Sequence, residues 1–337
     1  MIKFSVGYQM RRNDEWIKTI IKHSAKVHEV FFSPVGVANG RTGVPLPDGK
    51  FSIDEQHTKL HSDLQLLQEA KIPLNILYNA SCYGRDTQSR TFFDRLVTQL
   101  NFYMNEYDLR SVTTASPLIA DVVKKNFPTL LTRASINMGI ASVLGMDYVS
   151  NIFDGFYIKQ ELNRNIPEIL KMKKWCDNNG KQLFMLVNSG CLNDCAIHAF
   201  HNNQASHSDE LQIVDKRYPI QGCRFYLSRP GKLVSVLRDA NWIRPEDLHL
   251  YDGLFTSFKL ATRINRNPEI VLNAYVSGHY DGSILDLMEP NHEVVMNGRK
   301  LNNTIFPKDF GSFTAHCSHE CATCGYCDRI FQKVLSR

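Results

Sequence analysis

Four of the nine cysteines in this chain lie close together near its C-terminus. Cys317, Cys321, Cys324 and Cys327 follow the spacing C-x3-C-x2-C-x2-C. Thiolates at this density suit Zn²⁺ or an iron–sulfur cluster, and two consecutive x2 spacings are typical of the run that wraps a 4Fe–4S cluster. The tail is therefore predicted to hold one metal centre. A 4Fe–4S cluster is favoured, and zinc is the alternative.

A second group of cysteines follows a strand-like apolar run, QLFMLVN. Cys191 and Cys195 come directly after this run, and Cys223 lies further along the same stretch. Three thiolates form most of a metal shell. This part of the chain is therefore predicted to hold a second metal centre.

The fourth ligand of this second group stays open. Cys82 ends another strand-like run and, if Cys176 is a core residue, completes two shells of four thiols. His249 is the other main candidate, because imidazole nitrogen also binds these metals. His198 and His201 are further candidates.

Alternating strand and helix patterns indicate how these residues are positioned. Runs rich in β-branched and aromatic residues are separated by amphipathic helical patterns. Eight such units predict an α/β fold, a (β/α)8 barrel over residues 1–281, with an open doubly wound sheet as the alternative. The predicted strands are 3–9, 29–34, 74–80, 111–116, 130–137, 153–159, 182–188 and 254–260.

Two segments interrupt the alternation, and most of the clustered cysteines lie in them. Residues 189–240 read as an insertion after the seventh strand, and residues 282–337 as a C-terminal cysteine-rich, metal-binding extension. The carboxyl ends of barrel strands carry catalytic residues in this fold, so the insertion is expected to cover that end. The polar residues predicted to line the barrel mouth and act there are Arg133, Lys159, Asn188, Lys259 and Arg263.

The cations in that set and the overall composition narrow the choice of partners. Arginine binds carboxylate and phosphate well, so an anionic organic molecule or RNA is predicted as substrate. The 337 residues have a formal net charge of +5 and a mean hydropathy of −0.27. No apolar run approaches the ~20 residues of a membrane span, and the N-terminus lacks the pattern of a secretory signal. A cytoplasmic location is therefore predicted.

Two stretches of the chain resemble the peptidase U32 family, also called collagenase-like peptidases. They are LVNSGCLNDCAIHAFHN, at 186–202, and WIRPEDLHLYDGLFTSFKLATRINRNPEIVLNAY, at 242–275. The family signature near DSFKIEGR is TSFKLATR here, and the resemblance covers roughly residues 150–335. Two positions depart from the pattern. Ala261 stands where the family usually has glutamate, and His249 where many members have cysteine.

This resemblance implies a function. Several members of the family resemble oxygen-independent hydroxylation proteins that act on tRNA, ribosomal RNA or ubiquinone precursors and carry a 4Fe–4S cluster on four cysteines. Cys191, Cys195 and Cys223 would be such ligands, so that the protein would carry one or two 4Fe–4S clusters in all. The fourth iron of the mouth cluster would be bound by one of the candidate ligands above or stay open to substrate. The leading hypothesis is an iron–sulfur oxidoreductase or hydroxylase served by an electron donor or a partner subunit. The alternatives are a peptidase, which would lack the H-E-x-x-H and G-x-S-x-G motifs, and a non-catalytic, metal-stabilised partner protein.

Overall fold

Eight parallel strands form a closed barrel in chain order. The computed structural model describes residues 1–40, 51–207 and 222–336. β8 closes the barrel by pairing with β1 through Phe258 and Phe4. The predicted (β/α)8 barrel is confirmed, and every predicted strand overlaps an observed one. The strands are β1 (Phe4–Gly7), β2 (Val27–Phe32), β3 (Leu74–Tyr78), β4 (Leu109–Thr114), β5 (Leu131–Ala134), β6 (Gly155–Tyr157), β7 (Gln182–Leu186) and β8 (Ser257–Leu260).

Helices connect the successive strands, and several begin where the sequence offers a cap. Ser52 and Glu55 form a reciprocal capping box at the start of α2. α6 ends shortly before Gly180, which has a φ of +62°, a conformation that favours glycine after a helix. Cys176 on α6 is fully buried, as predicted for a core residue. These helices are α1 (Glu15–Lys22), α2 (Ile53–Glu69), α3 (Arg90–Glu106), α4 (Pro117–Asn126), α5 (Val143–Asp147) and α6 (Ile166–Asn178).

The insertion and the C-terminal extension pack onto the barrel. In the insertion lie α7 (His198–Ser206), α8 (Gly222–Leu227) and α9 (Ser235–Arg238), and a 3-10 helix (Pro245–Tyr251) then leads to β8. Apolar side chains of the extension, such as Phe310, belong to the same core cluster as those of the barrel. After β8 come α10 (Pro268–Ser277), α11 (Glu293–Met296), β9 (Lys300–Leu301), α12 (Phe310–Thr314), α13 (Cys321–Cys324), α14 (Tyr326–Val334) and β10 (Leu335–Ser336).

The interior of the barrel is polar at its centre. The buried carboxylate of Glu29 on β2 accepts hydrogen bonds from Ser5 on β1 (3.1 Å), Asn75 on β3 (3.0 Å) and Ser111 on β4 (3.4 Å). Arg133 on β5 donates to both of its oxygens. One carboxylate therefore ties together the inner faces of five strands.

None of the helices in the described ranges is both long enough and apolar enough to cross a membrane. The cytoplasmic location stays a prediction.

Candidate functional site

The three thiols of the insertion line one cavity. This cavity has a volume of about 90 Å³, and Cys191, Cys195 and Cys223 line it together with His198 and His201. Its other walls include Gly40, Gln160 and Ile264, which follow β2, β6 and β8. The cavity therefore lies at the carboxyl end of the barrel, where this fold places its chemistry.

The chain leaves β7 in a fixed direction because Asn188 uses its whole amide on backbone groups. Its Nδ2 donates to the carbonyl oxygens of Ala261 (3.0 Å) and Leu287 (2.8 Å), and its Oδ1 accepts from the Ala261 amide (2.7 Å). Asn188 is fully buried. Asn188 therefore positions the end of β7. The sequence had instead predicted that its side chain lines the barrel mouth and acts there.

The next residues are held by a segment of the C-terminal extension. The Glu289 amide donates to the Asn188 carbonyl (3.0 Å), and the Gly190 amide donates to the Glu289 carbonyl (3.1 Å). His292 Nε2 lies 2.7 Å from the Gly190 carbonyl oxygen, so this nitrogen carries the proton. A Cβ on Gly190 would stand 2.0 Å from the Pro290 carbonyl oxygen. Only glycine fits this approach, which fixes where the following cysteine begins.

The histidines of α7 share one helix face with two further cavity residues. His198, His201, Asn202 and Ala205 all line the cavity, and their spacing places them on the same side of the helix. The helix begins close to the thiols, because the His198 amide donates to the Cys195 carbonyl (3.0 Å). Two imidazoles therefore face the same small space as three thiols.

The thiols in this cavity affect one another electrostatically. Burial raises the pKa of Cys223, and the neighbouring Cys191 and Cys195 raise it further. Three thiolates this close repel one another unless a cation joins them, so the donor set fits a metal centre. In the described ranges, however, no three His, Cys, Asp or Glu side chains already stand as a preformed metal site. The thiols would therefore have to turn toward a common ion on binding.

Neither predicted fourth ligand lines this cavity. Cys82 lines a separate cavity of about 980 Å³ between α2, α3 and the end of α7, and its sulfur accepts from the Gly84 amide (3.3 Å). His249 is exposed on the 3-10 helix, with Nδ1 2.8 Å from the Glu246 carbonyl oxygen. Sequence reasoning missed Glu289 and His292, which reach the site from the extension. No local spacing in the sequence marks them.

Arg133 does not lie at the mouth, contrary to the sequence prediction. Its side chain is only 2% exposed, pairs with Glu29, and stacks over the Phe184 ring at 4.4 Å. The sequence assigned it to the mouth because it lies on the fifth predicted strand, 130–137. In the structure its side chain is buried inside the barrel, where Glu29 balances its charge.

The remaining predicted cations lie nearer the mouth. The Lys259 ammonium, on a side chain 8% exposed, lies 4.0 Å from the centroid of the Phe31 ring and 4.7 Å from that of Tyr157. Arg263 donates to Ser33 Oγ (3.1 Å). Lys159 lies 3.3 Å from a carboxylate oxygen of Glu161. Lys259 and Arg263 share the Phe31 ring as a neighbour and so face the same region.

The four tail cysteines are also electrostatic neighbours. Burial raises the pKa of Cys327 to about 11, and Cys317, Cys321 and Cys324 add to this effect while the Arg164 guanidinium opposes it. Cys317 lies just after α12, the next two lie on α13, and Cys327 lies in the first turn of α14. Their common role as metal ligands stays a prediction.

The barrel and its thiol-lined mouth define a (β/α)8 protein whose candidate site lies at the carboxyl ends of the strands. No protein-family model matches the chain. In sequence, it is 22% identical over 338 residues to an uncharacterized protease, MJ1657, of Methanocaldococcus jannaschii, covering 94% of this chain and 91% of that protein. In structure, it matches the U32 peptidase Mk0906 with a TM-score of 0.55 and 14% identity, over 77% of this chain and 92% of that one. The resemblance to the U32 peptidases is thus confirmed.

Proposed function

We propose that this protein is an iron–sulfur enzyme related to the U32 peptidases, with redox or oxygen-independent hydroxylation chemistry at the barrel mouth. The observation that supports this most is the donor set of one cavity: three thiols and two imidazoles at the carboxyl ends of the strands. A 4Fe–4S cluster bound there would supply one-electron chemistry. The rigid end of β7, fixed through Asn188, would hold it beside the substrate.

The thiols and imidazoles of the cavity each have a role in this proposal. Cys191, Cys195 and Cys223 hold the metal. His198 or His201 supplies the fourth ligand, or donates a hydrogen bond to substrate, because both line this cavity whereas Cys82 and His249 do not.

The substrate in this proposal is an anionic organic molecule or RNA. Lys259 and Arg263 would bind its negative group, since both lie at or just after the carboxyl end of β8, beside the Phe31 ring. Arg133 is excluded from this role by its ion pair with Glu29. An electron donor or a partner subunit would complete the reaction.

The tail would hold a second metal centre on Cys317, Cys321, Cys324 and Cys327. The support for it is the close spacing of the four thiols, which lie on α13, just after α12 and in the first turn of α14. The backbone N–H of His319 also donates to the Cys317 sulfur (3.4 Å). Within the described ranges these thiols do not yet stand as a preformed site, so they would turn toward a common centre on binding. A 4Fe–4S cluster or Zn²⁺ fits these donors.

The test is the iron content of matched cysteine variants purified without oxygen. Cys191→Ala and Cys195→Ala should each lose one cluster's worth of iron and sulfide and its visible absorption, while the tail metal remains. Cys82→Ala is the matched control, because that thiol lines the other cavity, and it should keep all its iron. Full iron and sulfide in both test variants would refute the mouth cluster.

A peptidase is the second candidate, and two observations favour it. The relatives described above are called a protease and a peptidase. The Cys191 thiol and the His198 imidazole also line one cavity, as a nucleophile and its base would. Metal-free protein that cleaves peptides, and loses this activity in Cys191→Ala, would establish the peptidase. Under the iron–sulfur proposal, metal-free protein is inactive on any substrate.

A further inference from the structure

A buried arginine lies beside the C-terminal cysteines. The Arg164 side chain is 2% exposed. Its Nη1 donates to the Leu237 carbonyl (3.0 Å) and its Nη2 to the Trp242 carbonyl (3.1 Å). No acceptor among the described residues lies within hydrogen-bonding distance of its Nε. Within the described ranges, the hydrogen-bond acceptors of this guanidinium are therefore two neutral carbonyl oxygens.

Two neighbouring arginines are each paired with carboxylates, unlike Arg164 within the described ranges. Arg244, also buried, is paired with Asp247 through bonds of 2.7 and 2.8 Å. Arg238 bonds the carboxylates of Asp239 (3.0 Å) and Asp328 (3.2 Å). Both cations are thus balanced by carboxylates, and within the described ranges no such ion pair involves Arg164. A buried charge of this kind is strongly unfavourable unless a negative group compensates for its lost hydration.

The backbone of Arg164 is joined directly to the first tail cysteine. The Cys317 amide donates to the Arg164 carbonyl (3.1 Å), and the Ile166 amide donates to the Ala315 carbonyl (3.0 Å). These bonds lay the segment that precedes α6 against the segment that carries Cys317. The segment that carries the first tail thiol therefore packs directly against the backbone of Arg164.

A series of stacked aromatic rings leads from the Arg164 side chain to the residue before Cys327. The guanidinium lies over the Trp242 ring at 5.0 Å and the Phe310 ring at 5.6 Å. Phe310 in turn stacks on Tyr326, the residue before Cys327, with 6.3 Å between ring centroids. Among the titratable side chains of the described residues, Cys327 has the largest electrostatic effect on Arg164.

We propose that Arg164 is the internal counter-ion of the metal centre in the tail. The inference rests on the tail centre proposed above and goes beyond it. Four thiolates around Zn²⁺, or around an oxidised 4Fe–4S cluster, carry a net negative charge. This charge supplies the missing partner of the guanidinium without a direct bond to the metal. Arg164 is thus a positioning residue, and it makes metal retention in the tail depend on a side chain outside the tail.

The first measurement is the retention of tail metal against a chelator. Arg164→Met should lose this metal faster than the wild-type protein by roughly tenfold or more, because the anionic centre loses its buried counter-ion. Arg164→Lys keeps the charge and should lie between the two. Arg244→Met combined with Asp247→Asn is the matched control, because it removes a buried pair whose two charges already balance each other, and it should retain the metal as the wild-type protein does. Unchanged retention in Arg164→Met would overturn the inference.

The second measurement separates an electrostatic role from a merely structural one. In a Cys317→Ser, Cys327→Ser background the centre is absent, and Arg164 is then a buried cation without compensation. Arg164→Met should raise the urea midpoint in this background and lower it in metal-loaded wild-type protein. A lowered midpoint in both backgrounds would overturn the inference. If Arg164→Met folds in the serine background but not in the otherwise wild-type chain, this result also agrees with the inference. Failure of Arg164→Met to fold in both backgrounds overturns the inference.

The outcomes also separate this inference from the tail centre itself. If Cys324→Ser leaves the metal content per chain unchanged, the tail centre fails and the counter-ion role fails with it. If the tail metal is present but insensitive to Arg164, only the counter-ion role fails.

Discussion

Glu29 and Arg133 form an ion pair inside the barrel, where both side chains are almost fully buried. Burial alone would raise the pKa of Glu29, but Arg133 overcomes this effect with help from His28 and Asn75, so the pKa is lowered. A carboxyl group whose pKa is lowered on folding stabilises the fold above its ordinary pKa and loses that contribution as the pH falls. At the residue scale, the pair therefore stabilises the barrel at neutral pH.

Arg133→Met should destabilise the barrel by about 3–5 kcal/mol at pH 7, because it leaves a buried carboxylate uncompensated. Without the cation, burial raises the pKa of Glu29, so the deficit relative to the wild-type protein should shrink as the pH falls toward about 4. Urea unfolding at several pH values measures this. Arg110→Met is the control, an arginine side chain on β4 that is 67% exposed, and equal deficits at all pH values would contradict the explanation.

At the scale of elements, the site depends on how the end of β7 meets the extension. The Gly190 amide donates to the Glu289 carbonyl, and His292 donates back to the Gly190 carbonyl. The glycine packs directly against the Pro290 carbonyl oxygen. Cys191 therefore starts from a point set jointly by the barrel and by residues about a hundred positions later.

Gly190→Ala should displace this junction and destabilise the protein by about 1–3 kcal/mol, because a Cβ would overlap a backbone oxygen. It should also reduce the iron at the mouth and leave the tail metal intact. Gly145→Ala is the matched control, since a Cβ there has contacts no closer than 3.6 Å on α5, and it should keep its iron. Unchanged stability and iron in Gly190→Ala would show that the junction tolerates a side chain.

At the scale of the whole molecule, the extension is held in two ways. Ile330, Phe331 and Val334 on α14 are buried in the common core. α13 buries no residue, so under the proposal of a tail centre its position would depend on the thiols that flank and belong to it. In that proposal, metal binding and apolar packing stabilise different parts of the same tail.

Cys324→Ser should lose the tail metal and increase amide hydrogen exchange over residues 317–326, because the metal contributes the folding energy of that stretch. The buried part of α14 should stay protected by its apolar contacts. Metal analysis and hydrogen exchange measure both effects, and Cys82→Ser serves as the control. Full metal content, or exchange that rises along the whole of α14, would contradict this division.

Much of the fold could be predicted because it follows from patterns within short stretches of the sequence. The apolar runs at 74–80 and 182–188 predicted β3 and β7, and the alternation of strands with helices predicted the closed barrel. The short spacing between Cys191 and Cys195 likewise indicated a shared site, since four residues of chain cannot separate two thiols widely. Such features depend on near neighbours in the chain.

Only the tertiary structure decided which charges and ligand candidates reach the mouth. Arg133 looked available at a strand end, but its partner Glu29 lies 104 positions earlier and meets it only when the barrel closes. Cys82 and His249 looked equivalent as ligands, yet the first lines another cavity and the second is exposed. A one-residue change of register turns a strand side chain to the opposite face. The sequence by itself therefore determined the barrel and the grouping of the thiols, whereas long-range packing determined which side chains face them.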